Sequence, residues 1–228
     1  MSGMKFLDEK IIALRNEMRD QERHELAQQQ AALQVEQEPE QDEQEDLQEV
    51  DIYQHVITID DEEVQVMEQS LLDGKMKIRM PKLFSIMSAE LASLKYPSER
   101  RPNLIYTDTS SSINLAFNLT PHRLNEEGVA GFQENMMDIL EQAQPSADWL
   151  DTEVLTIDGK TVGFLEVITP AIDGEIFNLM FFASVEGRAL IGTFNCMEDD
   201  LDTWRPIARA MMESLQFASS EEKGGAVL

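Results

Sequence analysis

An alternation of apolar and basic residues at positions 75–80 is the most regular pattern in this chain. The apolar members are Met76, Ile78 and Met80, and the basic members are Lys75, Lys77 and Arg79. Because successive side chains of a strand point to opposite faces, the alternation predicts a strand with one face in the core and the other in solvent. Asp73-Gly74 before it is typical of a tight turn, and runs at 52–59 and 64–70 have strand-like composition. The folded domain is therefore expected to start near Ile52.

Further strand-like runs occupy much of the chain after residue 104. They lie at 104–107, 113–119, 153–157, 161–169, 175–184 and 189–195. The connections between the last four contain Asp158-Gly159, Asp173-Gly174 and Glu186-Gly187. Such short connections favour antiparallel hairpins, because a parallel crossover needs a dozen or more residues. An antiparallel sheet is therefore predicted.

Helical periodicity predicts three helices in the same region. A short one over 88–95 is capped by Ser88, and a second one begins after Asn125. Its apolar face is predicted to contain Val129, Phe132, Met136, Ile139, Leu140 and Ala143. A final helix over about 203–217 tolerates Pro206 in its first turn, and its apolar stripe contains Trp204, Ile207, Ala208, Met211 and Leu215. Strand runs with these helices predict an α+β domain over 52–217, an antiparallel sheet flanked by helices.

The regions outside this domain have different patterns. Residues 1–35 have helical periodicity, and Leu7, Ile11, Leu14 and Met18 form a short apolar seam. This helix is either an arm that binds a partner or a second copy, or an amphipathic arm folded onto its own domain. Residues 36–51 contain only negative charges, which favours an extended, disordered acidic linker. Residues 218–228 are expected to form a flexible tail.

Charge and composition restrict the partners. The 228 residues have a formal net charge of −26 and a pI of about 4.3, while 42% are hydrophobic. Nucleic acids and anionic membrane surfaces are poor partners for so acidic a chain, because both are bound through Lys and Arg. The first residues lack the pattern of a secretory signal, and no apolar run reaches the ~18–20 residues of a membrane span. We therefore expect a cytoplasmic protein without stable membrane insertion.

The sequence contains no motif that carries chemistry. His24, His55 and His122 lie in separate contexts, and the single Cys196 precedes three acidic residues that would raise its pKa. Nucleotide-binding glycine motifs are also missing. We predict no metal, no cofactor and no enzymatic activity. A hydrolase that uses Glu166, Glu175 or Asp173 is the weakest of the hypotheses considered.

Two surfaces are candidates for contact with a partner protein. The first is the basic segment 75–101, which contains Lys75, Lys77 and Arg79. It could contact an acidic partner or the acidic linker, or it could be an ordinary solvated strand face. The second is apolar and contains Phe177, Leu179, Phe181 and Ile191. Apolar residues on both faces of one strand indicate either two covered faces or a groove on one of them.

The order of elements resembles that of a known superfamily. The run EVLTIDGKTVGFLEVITPAIDGEIFNLMFFASVEGRALIGTFNC and the later helix WRPIARAMMESL are similar to the PsbP-like/DcrB-like sandwich superfamily, over about residues 63–217. The resemblance implies an antiparallel sheet flanked by helices. It also implies a non-enzymatic role, since members act by binding: photosystem subunits, a Ran-binding factor and chaperones of type VI secretion effectors. The leading helix and acidic linker are additions that we do not associate with the superfamily.

Two functions follow as hypotheses. In the first, the protein is a cytosolic adaptor or chaperone that shelters an apolar segment of a client, for example in secretion. The helix at 1–35 would then recruit a second component or a second copy. In the second, it is an acidic regulatory or immunity-type inhibitor that covers a basic protein. Salt resistance of the complex would favour the first, and salt sensitivity the second.

Overall fold

The computed structural model describes residues 50–98, 101–171 and 174–218. The predicted helix at 1–35 with Leu7, Ile11, Leu14 and Met18, most of the acidic linker, Asp173 and residues 219–228 lie outside the described residues. Within them, the strands in chain order are β1 Val56–Ile59, β2 Glu62–Leu71, β3 Met76–Pro81, β4 Ser85–Ile86, β5 Leu104–Thr107, β6 Asn114–Arg123, β7 Asp148–Ile157, β8 Lys160–Ala171, β9 Gly174–Val185, β10 Arg188–Met197 and β11 Gln216–Phe217.

These strands form two antiparallel sheets. The larger has the order β4-β5-β6-β10-β9-β8-β7, and the smaller has the order β1-β2-β3-β11. The predicted hairpins are confirmed. In the β7–β8 turn both Asp158 and Gly159 have positive φ angles, 49° and 72°, and Glu186 and Gly187 repeat this between β9 and β10. Two successive left-handed residues are the geometry of a type I′ turn, which matches the twist of the strands it joins.

Three helices accompany the sheets in the described part of the chain: α1 Ala89–Lys95, α2 Val129–Ala143 and α3 Leu201–Glu213. The predicted caps are confirmed. The Ser88 hydroxyl accepts a hydrogen bond from the Leu91 N–H at 3.2 Å. Asn125 caps a 3₁₀ turn over Glu126–Gly128 that leads into α2, and its side chain accepts from the Gly128 N–H at 3.1 Å. Side-chain acceptors satisfy N–H groups that lack a partner within the helix.

The larger sheet is covered on both faces, so the domain has three layers. On one face lie α3 and the smaller sheet, which share a single core with Phe177, Leu179 and Phe181. On the other face α2 covers Leu165, Val167 and Phe182, and α1 covers Met87, Ile105 and Ala116. The fold class is therefore α+β with an antiparallel sheet flanked by helices, as predicted, although the first three strands belong to a separate sheet.

The final helix differs from its prediction at both ends. It begins at Leu201, which places Pro206 in the second turn rather than the first, and it ends at Glu213 instead of continuing to 217. A tertiary contact explains why the helix ends at Glu213. The Ser214 hydroxyl donates to the Met211 carbonyl at 2.7 Å and accepts from the Arg79 N–H of β3 at 2.9 Å. Gln216 and Phe217 then pair with β3 as β11.

The first strand and the apolar face of α2 also differ. Of the predicted strand 52–59, only Val56–Ile59 forms a regular strand, although Ile52 is buried in the core. On α2, Ile139 is 57% exposed and Ala143 is also exposed, whereas Gln133 is buried. The Gln133 amide donates to the Phe164 carbonyl of β8 at 2.7 Å, so a polar residue occupies part of the face predicted to be apolar.

Candidate functional site

The predicted apolar contact surface lies inside the protein. Phe177, Leu179 and Phe181 are 0%, 0% and 1% exposed, in the core shared with α3. Ile191 pairs with Phe182 across β9 and β10, so it lies on the opposite face of the sheet, half-buried beneath α2. The hypothesis of a groove at these four residues is therefore wrong. The alternative is correct: this strand is apolar on both sides because both of its faces are covered.

The basic residues in and just before β3 have partners within the domain. Lys75 forms an ion pair with Glu186 at 3.2 Å, and Lys77 forms one with Glu68 at 2.8 Å. The Arg79 guanidinium donates to the Ile52 carbonyl at 2.9 Å and stacks over the Tyr53 ring, 5.3 Å from its centre. Their apolar neighbours Met76, Ile78 and Met80 are fully buried, which confirms the predicted alternation. Contact of this face with an acidic partner stays a prediction.

Glu166, a candidate for hydrolysis, is a fully buried anion held by two arginines of α3. Its carboxylate accepts from the Arg205 guanidinium at 2.8 Å and from the Arg209 guanidinium at 2.6 Å. Arg209 also pairs with Asp151 of β7 and stacks over the Phe164 ring at 4.5 Å. The network joins α3 to two strands. Because this carboxylate is fully buried as well as paired with two arginines, it is closed to a substrate, and the geometry gives it a structural role.

The pKa of Asp151 reflects this network. Partial burial acts to raise the pKa of the carboxyl group, but the hydrogen bond from Arg209 and the arginine charge outweigh it, so the pKa lies below its ordinary value. For Arg209 desolvation acts to lower the pKa, while hydrogen bonds to Glu166 and Asp151 raise it overall. Both shifts favour the charged forms, and the ion pair is therefore kept at neutral pH.

Glu175, another hydrolase candidate, lies in a group of acidic side chains at one end of the larger sheet. A hydrogen bond with the Glu175 side chain raises the pKa of Glu198, and the negative charges of Glu175, Asp199 and Asp148 add to the shift. The region thus has a strongly negative potential. Within the described residues, no group of three His, Cys, Asp or Glu side chains is arranged to hold a metal ion.

Cys196 is a buried structural residue. Burial raises the pKa of its thiol to about 12, and the charge of Asp200 adds to the shift. The thiol is therefore protonated at neutral pH, and a nucleophilic role would need the opposite shift. His122 lies beside Phe132 of α2, with the ring centres 5.6 Å apart, and His55 precedes β1.

An open groove between α1 and β5 is the surface that sequence reasoning missed. Its volume is about 530 Å³. Met87, Leu104 and Ile105 supply apolar lining, and Ile86 at the sheet edge is 65% exposed. We call this surface the α1 groove. One signal was available, because Leu83, Phe84, Ile86 and Met87 make the connection between β3 and α1 unusually apolar.

The helix that borders the α1 groove is only loosely packed. None of its residues is fully buried; Leu91 and Ala92 and the following Tyr96 are half-buried against the sheet. Leu94 on its outer side is 79% exposed. Near this helix, Lys95 donates to the Ser111 carbonyl, and Arg101, which lines the groove, donates to the Ser93 hydroxyl at 2.7 Å. The lining of the groove therefore combines apolar residues with the cation Arg101.

A second cavity, of about 310 Å³, lies between the turns that precede β3 and β10. Lys75, Lys160, Ser184 and Phe217 are among its lining residues. Both lysines are already paired, Lys75 with Glu186 and Lys160 with Glu126 at 2.7 Å. The Ser184 hydroxyl donates to the Leu124 carbonyl at 2.7 Å. Its polar groups are thus largely satisfied within the domain.

Comparison with known proteins supports the fold. The sequence matches no protein-family model, and no curated protein matches it significantly. The solution structure of the cyanobacterial PsbP protein from Synechocystis sp. PCC 6803 is similar at 13% identity, with a TM-score of 0.51 over 67% of this chain and 92% of that chain.

Two further structures are similar at lower TM-scores. One is LpqN, involved in cell envelope biogenesis of Mycobacterium tuberculosis, at 13% identity and a TM-score of 0.45, covering 72% of this chain and 98% of its own. The other is PA94 of Pseudomonas aeruginosa, described as a putative regulator, at 12% identity and 0.42, covering 68% and 99%. Among the described residues, no helix is both long and apolar enough to cross a membrane. From the strand order, the covering helices and the similarity to cyanobacterial PsbP, the domain has the PsbP-like α+β sandwich fold.

Proposed function

We propose that this protein is a non-enzymatic binding module, adaptor or chaperone-like, that shelters an apolar segment of a partner protein in the α1 groove. The observation that carries the proposal is the 65% exposure of Ile86 beside an open groove of about 530 Å³ that Met87, Leu104 and Ile105 help to line. Covering a side chain of this size contributes roughly 1.5–3 kcal/mol. An exposed apolar surface with polar surroundings is typical of an interaction site.

A protein segment fits the α1 groove better than a small molecule does. Small-molecule sites enclose most of their ligand and direct several polar groups at it. Here Ile86 remains 65% exposed, and the polar Arg101 and Ser93 side chains are hydrogen-bonded to each other. A helix or extended segment that lies across the sheet edge could cover Ile86 and the lining of the groove together.

The charges around the α1 groove define the partner further. Arg101 is a cation in the lining of the groove, and Lys95 lies in the last turn of α1, in a chain whose net charge is −26. An apolar segment flanked by acidic residues would therefore be favoured at this end of the molecule over one flanked by basic residues. The apolar contact should supply most of the affinity, because ion pairs at exposed positions contribute only about 0–1 kcal/mol.

The candidate chemical groups support a binding role. Both oxygens of Glu166 are paired with arginines, and the Cys196 thiol is buried with a raised pKa. Each of these groups has a structural partner or environment that opposes catalysis. The hypothesis of an inhibitor that covers a basic protein depends on a negatively charged surface. Strand β7, with its exposed acidic side chains, is the region that supports this hypothesis.

A pair of designed peptides tests the proposal on the full-length chain. Both peptides have the same leucine-rich helical face, and one is flanked by glutamates while the other is flanked by lysines. We expect the glutamate-flanked peptide to bind more tightly by calorimetry, and Ile86→Asp to weaken that binding at least about tenfold. Ile139→Asp is the matched control, because Ile139 is a similarly exposed isoleucine located on α2.

Each outcome has a clear meaning. Weaker binding in Ile86→Asp with unchanged binding in Ile139→Asp supports the α1 groove, and persistence of binding at high salt supports an apolar contact. Equal effects of the two substitutions, or no binding of either peptide to the wild-type protein, would remove the α1 groove as the site.

A further inference from the structure

The strand β7 forms an unusually long free edge of the larger sheet. It has ten residues and pairs only with β8 within the described residues. The opposite edge strand β4 has two residues, and the edge strands of the smaller sheet, β1 and β11, have four and two. Short edge strands limit unwanted pairing with other chains. A ten-residue edge therefore offers more backbone to an added strand than the other edges do.

The hairpin geometry determines which backbone groups of β7 point outward. In a two-residue hairpin the residues next to the turn, here Ile157 and Lys160, exchange hydrogen bonds, and outward-facing groups then alternate along the strand. This alternation leaves the N–H and C=O groups of Val154 and Thr156 directed away from β8. The Thr152 N–H also points away from β8 in this alternation, and it donates to the Asp151 side chain at 2.7 Å.

The outer side of this edge also has exposed apolar side chains. Leu150 and Val154 are 36% and 42% exposed. Trp149 and Asp151 flank a register shift, so Leu150 lies at a bulge and continuous pairing is available mainly from Thr152 to Thr156. An added strand could thus bury Val154 while forming backbone hydrogen bonds.

Acidic side chains flank the same edge. Gln133 and Met137 of α2 contact the Thr152 side chain, at 2.6 and 3.5 Å, so this side of α2 lies over β7. Glu134, Asp138 and Glu141 follow at helical spacings on the adjoining exposed side. Glu153 and Asp148 of β7 are exposed as well, and Asp148 belongs to the acidic group that raises the pKa of Glu198.

We propose that the free edge of β7 binds an extended, basic segment of a partner protein as an additional antiparallel strand. Main-chain hydrogen bonds to Val154 and Thr156 would supply the pairing, and the surrounding carboxylates would select lysine or arginine side chains. A second copy of this chain is a poor occupant, because two such edges would bring Glu153, Asp148 and the acidic side of α2 close to their own copies.

This site is independent of the α1 groove. The sheet order places β4, which contains Ile86, at one edge and β7 at the other. The two surfaces also differ in charge, since the cation Arg101 lines the α1 groove and carboxylates flank β7. The protein could therefore bind an apolar, acidic-flanked segment at one edge of the sheet and a basic, extended segment at the other.

The test uses the full-length chain and a fluorescent peptide of alternating lysine and valine. We expect it to bind with an affinity that falls with added salt, and a matched peptide with glutamate in place of lysine not to bind. Val154→Pro removes an outward N–H without removing a bond to β8, and should weaken binding about tenfold or more. Val154→Thr keeps the N–H and the branched side chain and should stay within about twofold of wild type.

A second measurement avoids reliance on the folding of the proline variant. Addition of the lysine peptide to wild-type protein should slow hydrogen exchange of the Val154 and Thr156 amides. The double substitution Glu134→Gln and Glu141→Gln should weaken binding and reduce its salt dependence. Equal binding of both peptides would overturn the charge selection, and unchanged exchange at Val154 and Thr156 with the lysine peptide bound would overturn strand addition at this edge.

Discussion

The helices α1 and α3 cover the two faces of one sheet in very different ways. α3 buries Trp204, Ile207 and Met211 in the main core and holds the buried Glu166 through two arginines. α1 has no fully buried residue and leaves Leu94 almost entirely exposed. Under α3 the apolar side chains are buried and the charged groups are paired. The sheet edge beside α1, in contrast, keeps exposed apolar side chains. Mutations under α3 should therefore change the stability of the domain, whereas mutations beside α1 should change binding at the proposed α1 groove and leave stability almost unchanged.

Removal of Trp204 tests the closed face with the largest expected effect. Its ring stacks on Phe194 at 5.9 Å and meets Phe84 edge-on at 5.8 Å. We expect Trp204→Ala to lower the free energy of unfolding by about 3–5 kcal/mol in urea denaturation, because a large cavity forms. Leu94→Ala on α1 is the control and should change it by less than about 0.5 kcal/mol. Similar losses in both variants would contradict the comparison.

Neutralising Glu166 tests the ionic contact of α3. Glu166→Gln leaves Arg205 and Arg209 without their shared buried anion and should cost about 3 kcal/mol of unfolding free energy. Glu126→Gln removes a partly exposed ion pair with Lys160 and should cost less than about 1 kcal/mol. If both variants unfold at the same urea concentration as wild type, the buried network contributes no net stability.

Alanine substitutions at two glycines compare the packing inside the core with the packing on the exposed side of α2. A Cβ at Gly192 of β10 would overlap the buried Phe181 ring, so Gly192→Ala should destabilise the domain by about 1–3 kcal/mol. A Cβ at Gly131 of α2 meets no atom within 4 Å. Gly131→Ala should therefore stabilise the domain by about 0.5–1 kcal/mol, because alanine favours helix. Melting temperatures that move in the same direction would contradict this.

Acid should weaken the contact of α3 with β7 by a smaller amount. The pKa of Asp151 is below its ordinary value in the folded protein, so its stabilising effect is present above the unfolded pKa and is lost as pH falls through the folded pKa. Since the side chain is 41% exposed, solvent screens the interaction. Asp151→Asn should therefore be modestly less stable than wild type at pH 7, and the difference should shrink at acid pH. A difference that grows in acid would contradict the sign.

Local patterns predicted much of this fold because they depend on neighbouring residues. The Asp158-Gly159 and Glu186-Gly187 turns and the caps at Ser88 and Asn125 are short-range features, and all were confirmed. Features that depend on distant residues were missed. The smaller sheet includes β11 only because Gln216 pairs with Lys77, which is far away in the chain.

The candidate site was harder to predict for the same reason. An apolar strand does not reveal whether both of its faces are covered or one lines a groove, and only the structure shows that α3 covers Phe177, Leu179 and Phe181. Ile86 and Leu94 look like ordinary apolar residues in sequence, and only their exposure in the folded structure distinguishes them. Partner binding through the seam at Leu7, Ile11, Leu14 and Met18 stays a prediction.

The sequence by itself determined most of the longer elements, the hairpins and the acidic character of this protein, since alternation, turn residues and charge are properties of nearby positions. The tertiary structure alone decided which apolar side chains are covered and which edge of the sheet is free. The physical reason is that burial depends on what packs from elsewhere in the chain. Ile86 stays exposed because α1 covers the neighbouring part of the sheet and does not reach Ile86 itself. Strand β7 keeps a free edge because it is the last strand in the order of the larger sheet.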